Sequence, residues 1–404
     1  MLQTMSLDNT IVLDNGASSL KIGKTNTEFC SIFPNSIFRS KSERRKNFIS
    51  NQIDACKDYS SLFYVLPFQK GYLLNWDVQR QVWDHVFGKD VLNLKCNESN
   101  IVITEPHFNF ASIQEAINEI FFEEYEFQSI LRTNSSTLSS HKYAADNPGE
   151  DCCLVVDCGY SFTHIVPYHK NNKIPEAVCR IDVGGKLLTN HLKEIISYRQ
   201  LQVMDETYVM NQVKEDACYV SMNFNDDMKT CKLKGKDNTV LRDYVLPDYT
   251  QIKRGYIKSN PKPDSVSTKS QEQMIRLTVE RFGVPEILFH PWDVGIPQMG
   301  LAEAIMHSVS KCPQDTQPHM LRNIVLTGGS CKFPNFKERL EREIRCLAPD
   351  HLDIYVTLPH NPITYSCEGG LHWSKTNEIR EHWLTLEEYQ EGGQAACARQ
   401  FYDI

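Results

Sequence analysis

Two aspartates in this chain sit in the same short grammar, one suited to holding phosphate. Residues 10–23 read T-I-V-L-D-N-G-A-S-S-L-K-I-G, and residues 153–167 read C-L-V-V-D-C-G-Y-S-F-T-H-I-V-P. Each is an apolar run, an Asp-x-Gly turn, small polar residues and a second alternating run. That pattern predicts a β-hairpin with an aspartate, Asp14 or Asp157, at its tip. Small side chains and backbone amides around Gly16 and Gly159 suit phosphate oxygens. The carboxylates themselves repel phosphate, so a cation must stand between. Hydrated Mg²⁺, which keeps several waters when bound, is the natural bridge from Asp14 and Asp157 through water. Lys21 adds one positive charge on the phosphate side. The ligand implied is a metal–nucleoside triphosphate.

A second device also occurs twice. Residues 180–193 read as a short strand, Gly184-Gly185 and a helix with Leu188, Leu192, Ile195 and Ile196 on one face. Residues 323–345 read as a strand, Gly328-Gly329 and a helix striped by Phe336, Leu340 and Ile344, with Pro334 just ahead of it. A strand running through paired glycines into a helix N-terminus is an anion seat: backbone N–H groups can approach, and the helix dipole favours negative charge. One Asp-x-Gly turn alone is an ordinary turn. Two of them, interleaved with two Gly-Gly turns, imply a nucleotide cleft between two domains of related topology. Gly185-Lys186 is not a Walker loop, because Arg180 occupies the upstream glycine position and Leu187 the Ser/Thr position.

These motifs need strands and helices to carry them, and both alternate along most of the chain, so the fold class is α/β. Ser112 and Glu115 predict a capping box ahead of Ile113, Ile117, Ile120 and Phe121. Asp77 is the expected N-cap before Val78, Val82 and Val86. Two stretches read as exposed loops: residues 38–47, with Arg39, Lys41, Arg44, Arg45 and Lys46, and residues 253–270, rich in Ser, Pro and Lys. With 404 residues, the chain has room for two or three domains and a large core. Its 41% hydrophobic and 23% charged residues exclude fibrous or wholly disordered classes. A net charge of −8 argues against a free-standing nucleic-acid or membrane-surface binder. No secretory signal or membrane-spanning run is read. The 14 cysteines form no C-x-x-C pair, and the 13 histidines no convincing i, i+4 pair. Reduced, mostly buried thiols and no metal ligands are therefore expected.

At this point the residues resemble the actin family, from about Thr10 to about Tyr389. The resemblance rests on L-D-N-G-A, N-W-D at 75–77, T-E-P at 104–106, D-C-G-Y-S-F-T-H at 157–164, K-E-D-A-C-Y-V at 214–220, P-E-I-L-F at 285–289, T-G-G at 327–329 and E-G-G at 368–370. Longer strings, such as L-P-F-Q-K-G-Y-L-L-N-W-D-V-Q-R-Q-V-W-D, are similar to the nuclear actin-related proteins of that family. The resemblance implies two lobes of duplicated domains and four subdomains around a nucleotide cleft. These are an outer subdomain from 1–35, 67–147 and 366–404, a small outer one at 36–66, an inner one from 148–183 and 297–365, and a small inner one at 184–296. It implies bound ATP or ADP with Mg²⁺. Asp14, Gly16 and Lys21 fall on the first phosphate hairpin, Asp157 and Gly159 on the second, Gly185, Lys214 and Glu215 on the ribose side, and Gly328, Gly329 and Phe333 on the adenine and α-phosphate side. Lys214 and Glu215 rest on the resemblance alone; by themselves they read as a solvated helix face.

Departures from the family pattern shape the expected function. Ala17 stands where a small hydroxyl residue is usual, and Ser18 where a glycine is. Tyr160 replaces an acidic residue, and Ser135 falls where a water-positioning glutamine belongs. His164 matches and can accept a proton. Losing the water-orienting group removes a positioning contribution to hydrolysis, so turnover is expected to be slow or absent. The segment from 38 to 55 is about six residues shorter than its actin counterpart by this resemblance, which disfavours filament growth. The nuclear class implies a subunit of a chromatin-remodelling complex that exchanges histone variants. A zinc-knuckle subunit is its partner there, nucleosomes or histones are reached through the complex, and no membrane is involved. The run Arg39–Lys46 reads as a solvated loop or as a contact for DNA or an acidic partner. Rival readings are a cytoskeletal filament protein and a phosphotransferase or chaperone ATPase of the same superfold. No independent carboxylate base beyond Asp14 and Asp157 supports a kinase.

Overall fold

The computed structural model describes residues 9–27, 29–41, 46–59, 62–248, 251–258 and 272–402. Two sheets, each built around one Asp-bearing hairpin, organise two lobes. The first runs Leu384–Thr385, Ser129–Asn134, Asn100–Glu105, Thr10–Asn15, Ser19–Lys24, Ser31–Pro34. Thr10–Asn15 is antiparallel to Ser19–Lys24, setting Asp14 opposite Lys21, and parallel to Asn100–Glu105. The second runs Asn172–Lys173, Thr163–His169, Cys152–Cys158, Ile324–Thr327, Val356–Thr357, with Cys179–Ile181 also on Thr163–His169. There Cys152–Cys158 is antiparallel to Thr163–His169 and parallel to Ile324–Thr327. The two lobes thus repeat one local plan: a hairpin whose first strand also carries a parallel neighbour. These strands are buried on both faces, which is why they read as near-continuous apolar runs.

Two three-stranded sheets and a short two-stranded one, Phe68–Gln69 with Tyr72–Leu73, make up the remaining sheets among the described residues. Ile37–Ser40 pairs with Asn47–Ile49 and Leu62–Val65, so the expected loop at 38–47 is anchored at both ends as a hairpin. Phe38 and Phe48, buried and directly paired across the strands, supply the apolar contact that draws it in. Arg39 is an exposed strand residue, and Arg44 and Arg45 lie outside the described residues. Similarly, the expected insertion at 253–270 begins inside a sheet, with Tyr256–Ile257 paired to Arg242–Val245, which also pairs with Met274–Leu277. Arg254 holds Asp216 at 2.8 Å, and Gly255 lies so close to Tyr244 that a Cβ would come within 2.4 Å of its ring. Residues 259–270 lie outside the described residues.

Helix ends depart from the expectations in informative ways. Helix Trp76–Phe87 is capped by Asn75, whose side chain accepts from the Val78 amide, so Asp77 lies in the first turn. Ser112 is not a cap: Ala111–Glu119 starts after Phe110 with no side-chain cap and runs into a π-turn, Ile120–Glu124. Burial of Ile113, Ile117, Ile120 and Phe121 sets its register instead. The helix after Gly328-Gly329 does not begin at the glycines. A 3₁₀ turn, Ser330–Lys332, and Asn335 at φ 66° precede Phe336–Leu347. Among the described residues, Cys30 and Cys367 form a disulfide, which corrects the expectation of reduced thiols throughout. Their sequence separation of 337 residues offers no spacing signal. The other twelve cysteines are free. No described helix is long and apolar enough to cross a membrane.

Candidate functional site

The two hairpin tips open into one cavity of about 520 Å³ between the lobes, in the size range of small-molecule sites. Asp14, Gly16, Lys21, Asp157, Gly159, Gly185, Lys214, Glu215, Gly328, Gly329 and Phe333 all line it. The residues picked out from the two hairpins, the two Gly-Gly turns and the Lys-Glu pair therefore share one wall system.

Asp14 is the more firmly held carboxylate. Its Oδ1 accepts from Thr104 Oγ1 at 2.7 Å, its Oδ2 accepts from Ser366 Oγ at 2.8 Å, and Lys21 Nζ stands 3.3 Å away. Thr104 also accepts from the Asn15 amide, so the end of strand Asn100–Glu105 fixes the tip of its parallel neighbour. Asp157 accepts from Ser135 Oγ at 2.9 Å. Burial, and then the charge of Asp14, push its carboxyl above the usual range; hydrogen bonds from Ser135 and Thr327 and the charge of Lys21 pull the other way. A buried carboxylate whose proton affinity is raised by a second carboxylate beside it marks a site that gains from a cation.

The loops around them are backbone-tight. A Cβ on Gly16 would lie 2.7 Å from the Ser19 carbonyl and 2.9 Å from Lys21 Nζ. Gly328 sits at φ 89°, where a Cβ would meet the Cys158 carbonyl at 2.3 Å and Asp157 Oδ1 at 3.0 Å. The first loop is pinned from below: Asn35 donates its amide to the Gly16 carbonyl and exchanges hydrogen bonds with Gln79, both fully buried. Ala17 and Ser18 line the cavity next to Gly16.

The structure revises three local expectations. The start of helix Gly185–Arg199 is not an open anion seat, because the Gly185 and Lys186 amides donate to the Gly159 and Tyr160 carbonyls. This helix end holds the second hairpin rather than facing a ligand. The Lys214 ammonium is likewise engaged, donating to the Gly185 carbonyl, Thr189 Oγ1 and Asn211 Oδ1. Burial pulls its pKa down to about 8. Glu215 is exposed and accepts from Asn211, on the same helix. Lys214 and Glu215 thus belong to one network that ties two helices together at the cavity wall. In the basic run, Lys41 reaches Glu206 at 3.4 Å and Asp205 at 3.7 Å, and Lys46 lies over the Phe48 ring at 4.9 Å.

Sequence reasoning missed the roles of Thr104, Ser366 and His107. Thr104 had a signal, being the first polar residue after the apolar run I-V-I of its strand. Ser366 had none, since a helix far along the chain brings it to Asp14. His107 packs on His164 with ring centroids 5.0 Å apart, and its Nε2 meets Ser136 Oγ at 2.7 Å. Burial lowers the pKa of His107 to about 3 and that of His164 well below its ordinary value, so both are neutral. His164 Nε2 and Asn15 Oδ1 are buried without a hydrogen-bond partner, and both residues line the cavity. Polar atoms left unsatisfied at a cavity wall are the mark of a ligand or of bound water. The groups at the hairpin tips fit a polyphosphate with a metal ion: glycine-tight loops, Lys21 and the carboxylates of Asp14 and Asp157. Among the described residues, no group of three or more His, Cys, Asp or Glu converges to cage a metal directly.

Comparison with known proteins agrees with this geometry. Residues 6–402 match the family described as Actin. Actin-related protein 6 of Drosophila melanogaster is 44% identical over 95% of this chain and 97% of its own length. Actin-like protein ARP6 of Cryptococcus neoformans is 38% identical over 98% of this chain and 85% of its own. Actin-related protein 6 of Arabidopsis thaliana is 35% identical over 98% of this chain and 100% of its own. With paired hairpins facing one cavity and similarity along nearly its whole length, the chain belongs to the actin family and has its two-lobed α/β fold.

Proposed function

We propose that this chain binds ATP or ADP with Mg²⁺ as a structural ligand, and that it serves as a non-catalytic nuclear subunit of a histone-exchanging chromatin-remodelling complex. The observation that carries the binding reading is the pair Asp14 and Asp157, one from each lobe, facing a shared cavity between glycine-tight loops. Bound there, Mg²⁺ would supply the charge that lets phosphate oxygens approach two carboxylates. Lys21 and the tight loops that follow Gly16 and Gly159 would hold the phosphates, while Phe333 and the Gly328-Gly329 turn would support the base.

Weak or absent hydrolysis follows from how the candidate water-side groups are committed. Ser135 donates to Asp157, and the Tyr160 hydroxyl meets Tyr64. His164 keeps a ring nitrogen without a partner, but Ser135 stands where the family pattern has its water-orienting glutamine. The complex-level role is supported by similarity to proteins named actin-related protein 6 and extends beyond that name. Partners would be other subunits of the complex, a zinc-knuckle subunit among them, with nucleosomes reached through the assembly; the location would be the nucleus.

Calorimetric titration of the purified chain with Mg-ADP and Mg-ATP tests the binding reading. Saturable binding is expected, weakened at least tenfold in Asp14→Asn. Absence of binding refutes it. Phosphate release at the rate of filamentous actin would refute the structural-ligand reading. Affinity capture from nuclear extract without remodeller subunits would remove the assignment to that complex.

A further inference from the structure

The open side of the cavity is crossed by contacts that the phosphate loops do not require. Tyr160, the residue after Gly159, meets Tyr64 hydroxyl to hydroxyl at 2.9 Å. Tyr64 belongs to strand Leu62–Val65 of the small outer sheet and Tyr160 to the second hairpin, so this bond spans the cleft. Beside it, Tyr208 of helix Thr207–Ala217 sets its ring edge-on to Phe38 at 5.8 Å and tilted on Tyr59 at 6.2 Å. Tyr208 thereby packs onto the apolar cluster of the opposite side, formed by Phe38, Phe48, Ile53, Cys56 and Leu62. At the outer rim, Lys41 faces Asp205 and Glu206, an exposed arrangement that contributes little energy but points the same way.

We propose that Tyr64, Tyr160 and Tyr208 form a latch across the mouth of the cleft, and that opening of this latch limits how fast nucleotide enters and leaves. The proposal rests on the nucleotide reading above and adds its regulation. The hairpin that lines the phosphate side also carries Tyr160, so ligand contact and mouth closure share one loop. A nucleotide enclosed between the lobes must wait for the hydroxyl pair to part and for Tyr208 to leave its apolar seat. A partner that drew the small outer sheet away from helix Thr207–Ala217 would speed exchange without touching the phosphate loops. The tyrosine that replaces an acidic residue of actin therefore has a structural use in this chain.

The test uses the full chain loaded with Mg²⁺ and a fluorescent N-methylanthraniloyl derivative of ADP, chased with excess unlabelled ADP. Tyr64 and Tyr208 do not line the cavity, so their variants leave the ligand's own contacts in place. Tyr64→Phe keeps the ring and removes the cross-cleft hydroxyl; release is expected to quicken about two- to tenfold, the range for one lost hydrogen bond. Association should quicken alongside it, so that affinity changes less than either rate. Tyr208→Ala should release faster still. Wild-type release rates in a Tyr64→Phe protein with unchanged melting temperature would overturn the proposal. So would a faster release matched in full by weaker affinity, which would mark a binding contact instead of a gate. If the unmodified chain binds no nucleotide, the nucleotide reading fails, and closure is then judged by hydrogen exchange on the ligand-free chain. Amides of Leu62–Val65 and Thr207–Ala217 should exchange faster in Tyr64→Phe; equal exchange would overturn the latch itself.

Discussion

At the scale of single residues, the pairing of Asp14 and Asp157 carries most of the chemistry, and the two carboxylates are not equivalent. Asp14 has two hydroxyl donors and an adjacent lysine; Asp157 pays for burial next to a like charge. Replacing Asp157 with Asn removes that repulsion. The ligand-free Asp157→Asn protein is expected to melt at or above the wild-type temperature while losing the stabilisation given by Mg-ADP. For the wild type, that stabilisation is about 2.7 kcal/mol at a hundredfold excess over Kd. Melting curves with and without Mg-ADP read both effects, and a ligand shift equal to wild type would contradict this account. Asp14, Asp157, Gly16 and Gly328 were legible in the sequence because Asp-x-Gly and Gly-Gly turns impose local geometry. Ser366 was not, because its contact with Asp14 spans 352 positions and depends on tertiary packing.

At the scale of elements, burial overruled the capping expectations. Helix Trp76–Phe87 starts where Asn75 can accept from the Val78 amide, two residues earlier than Asp77 implied. Asn75→Ala should therefore cost about 0.5–2 kcal/mol. Asp77→Ala should lose only a helix-dipole contribution of about 0.3–1 kcal/mol. Urea unfolding of the two variants ranks them, and the reverse order would place the cap at Asp77 after all. The hairpins and the strand–turn–helix order could be read from alternation and glycine placement. The use of the helix start at Gly185 could not: the sequence marks it as rich in free amides, but not that the second hairpin's carbonyls take two of them. Likewise, charge and proline made 38–47 and 253–270 look like loops, whereas Ile37–Ser40, Asn47–Ile49 and Tyr256–Ile257 are paired strands.

At the scale of the whole molecule, the lobes also meet beneath the cavity, where His107 of one packs against His164 of the other. Both are buried, and their folded-state pKa values are depressed, His107 to about 3, chiefly by loss of solvent. The unfolded chain binds protons at these positions below about pH 6.5, while the folded chain does not. Their contribution is therefore fully present above pH 6.5 and falls as the pH drops toward 3. The expected loss is up to about 1.4 kcal/mol per pH unit for each histidine. Denaturant unfolding between pH 6.5 and 5 should show a shallower slope for His107→Asn than for wild type, and identical slopes would sink this reading.

The seat that Tyr208 takes against the strands around Phe38 has a consequence for dissecting the protein. That small unit borrows an aromatic ring from a helix well over a hundred residues downstream to complete its own packing. It is an appendage whose interior is finished by its neighbour across the gap. An excised 36–66 fragment would leave that interior uncovered, and removing the helix would strand it within the intact chain. Anything that works on this protein by prising the gap apart must unpack a hydrophobic interior as well as separate two surfaces.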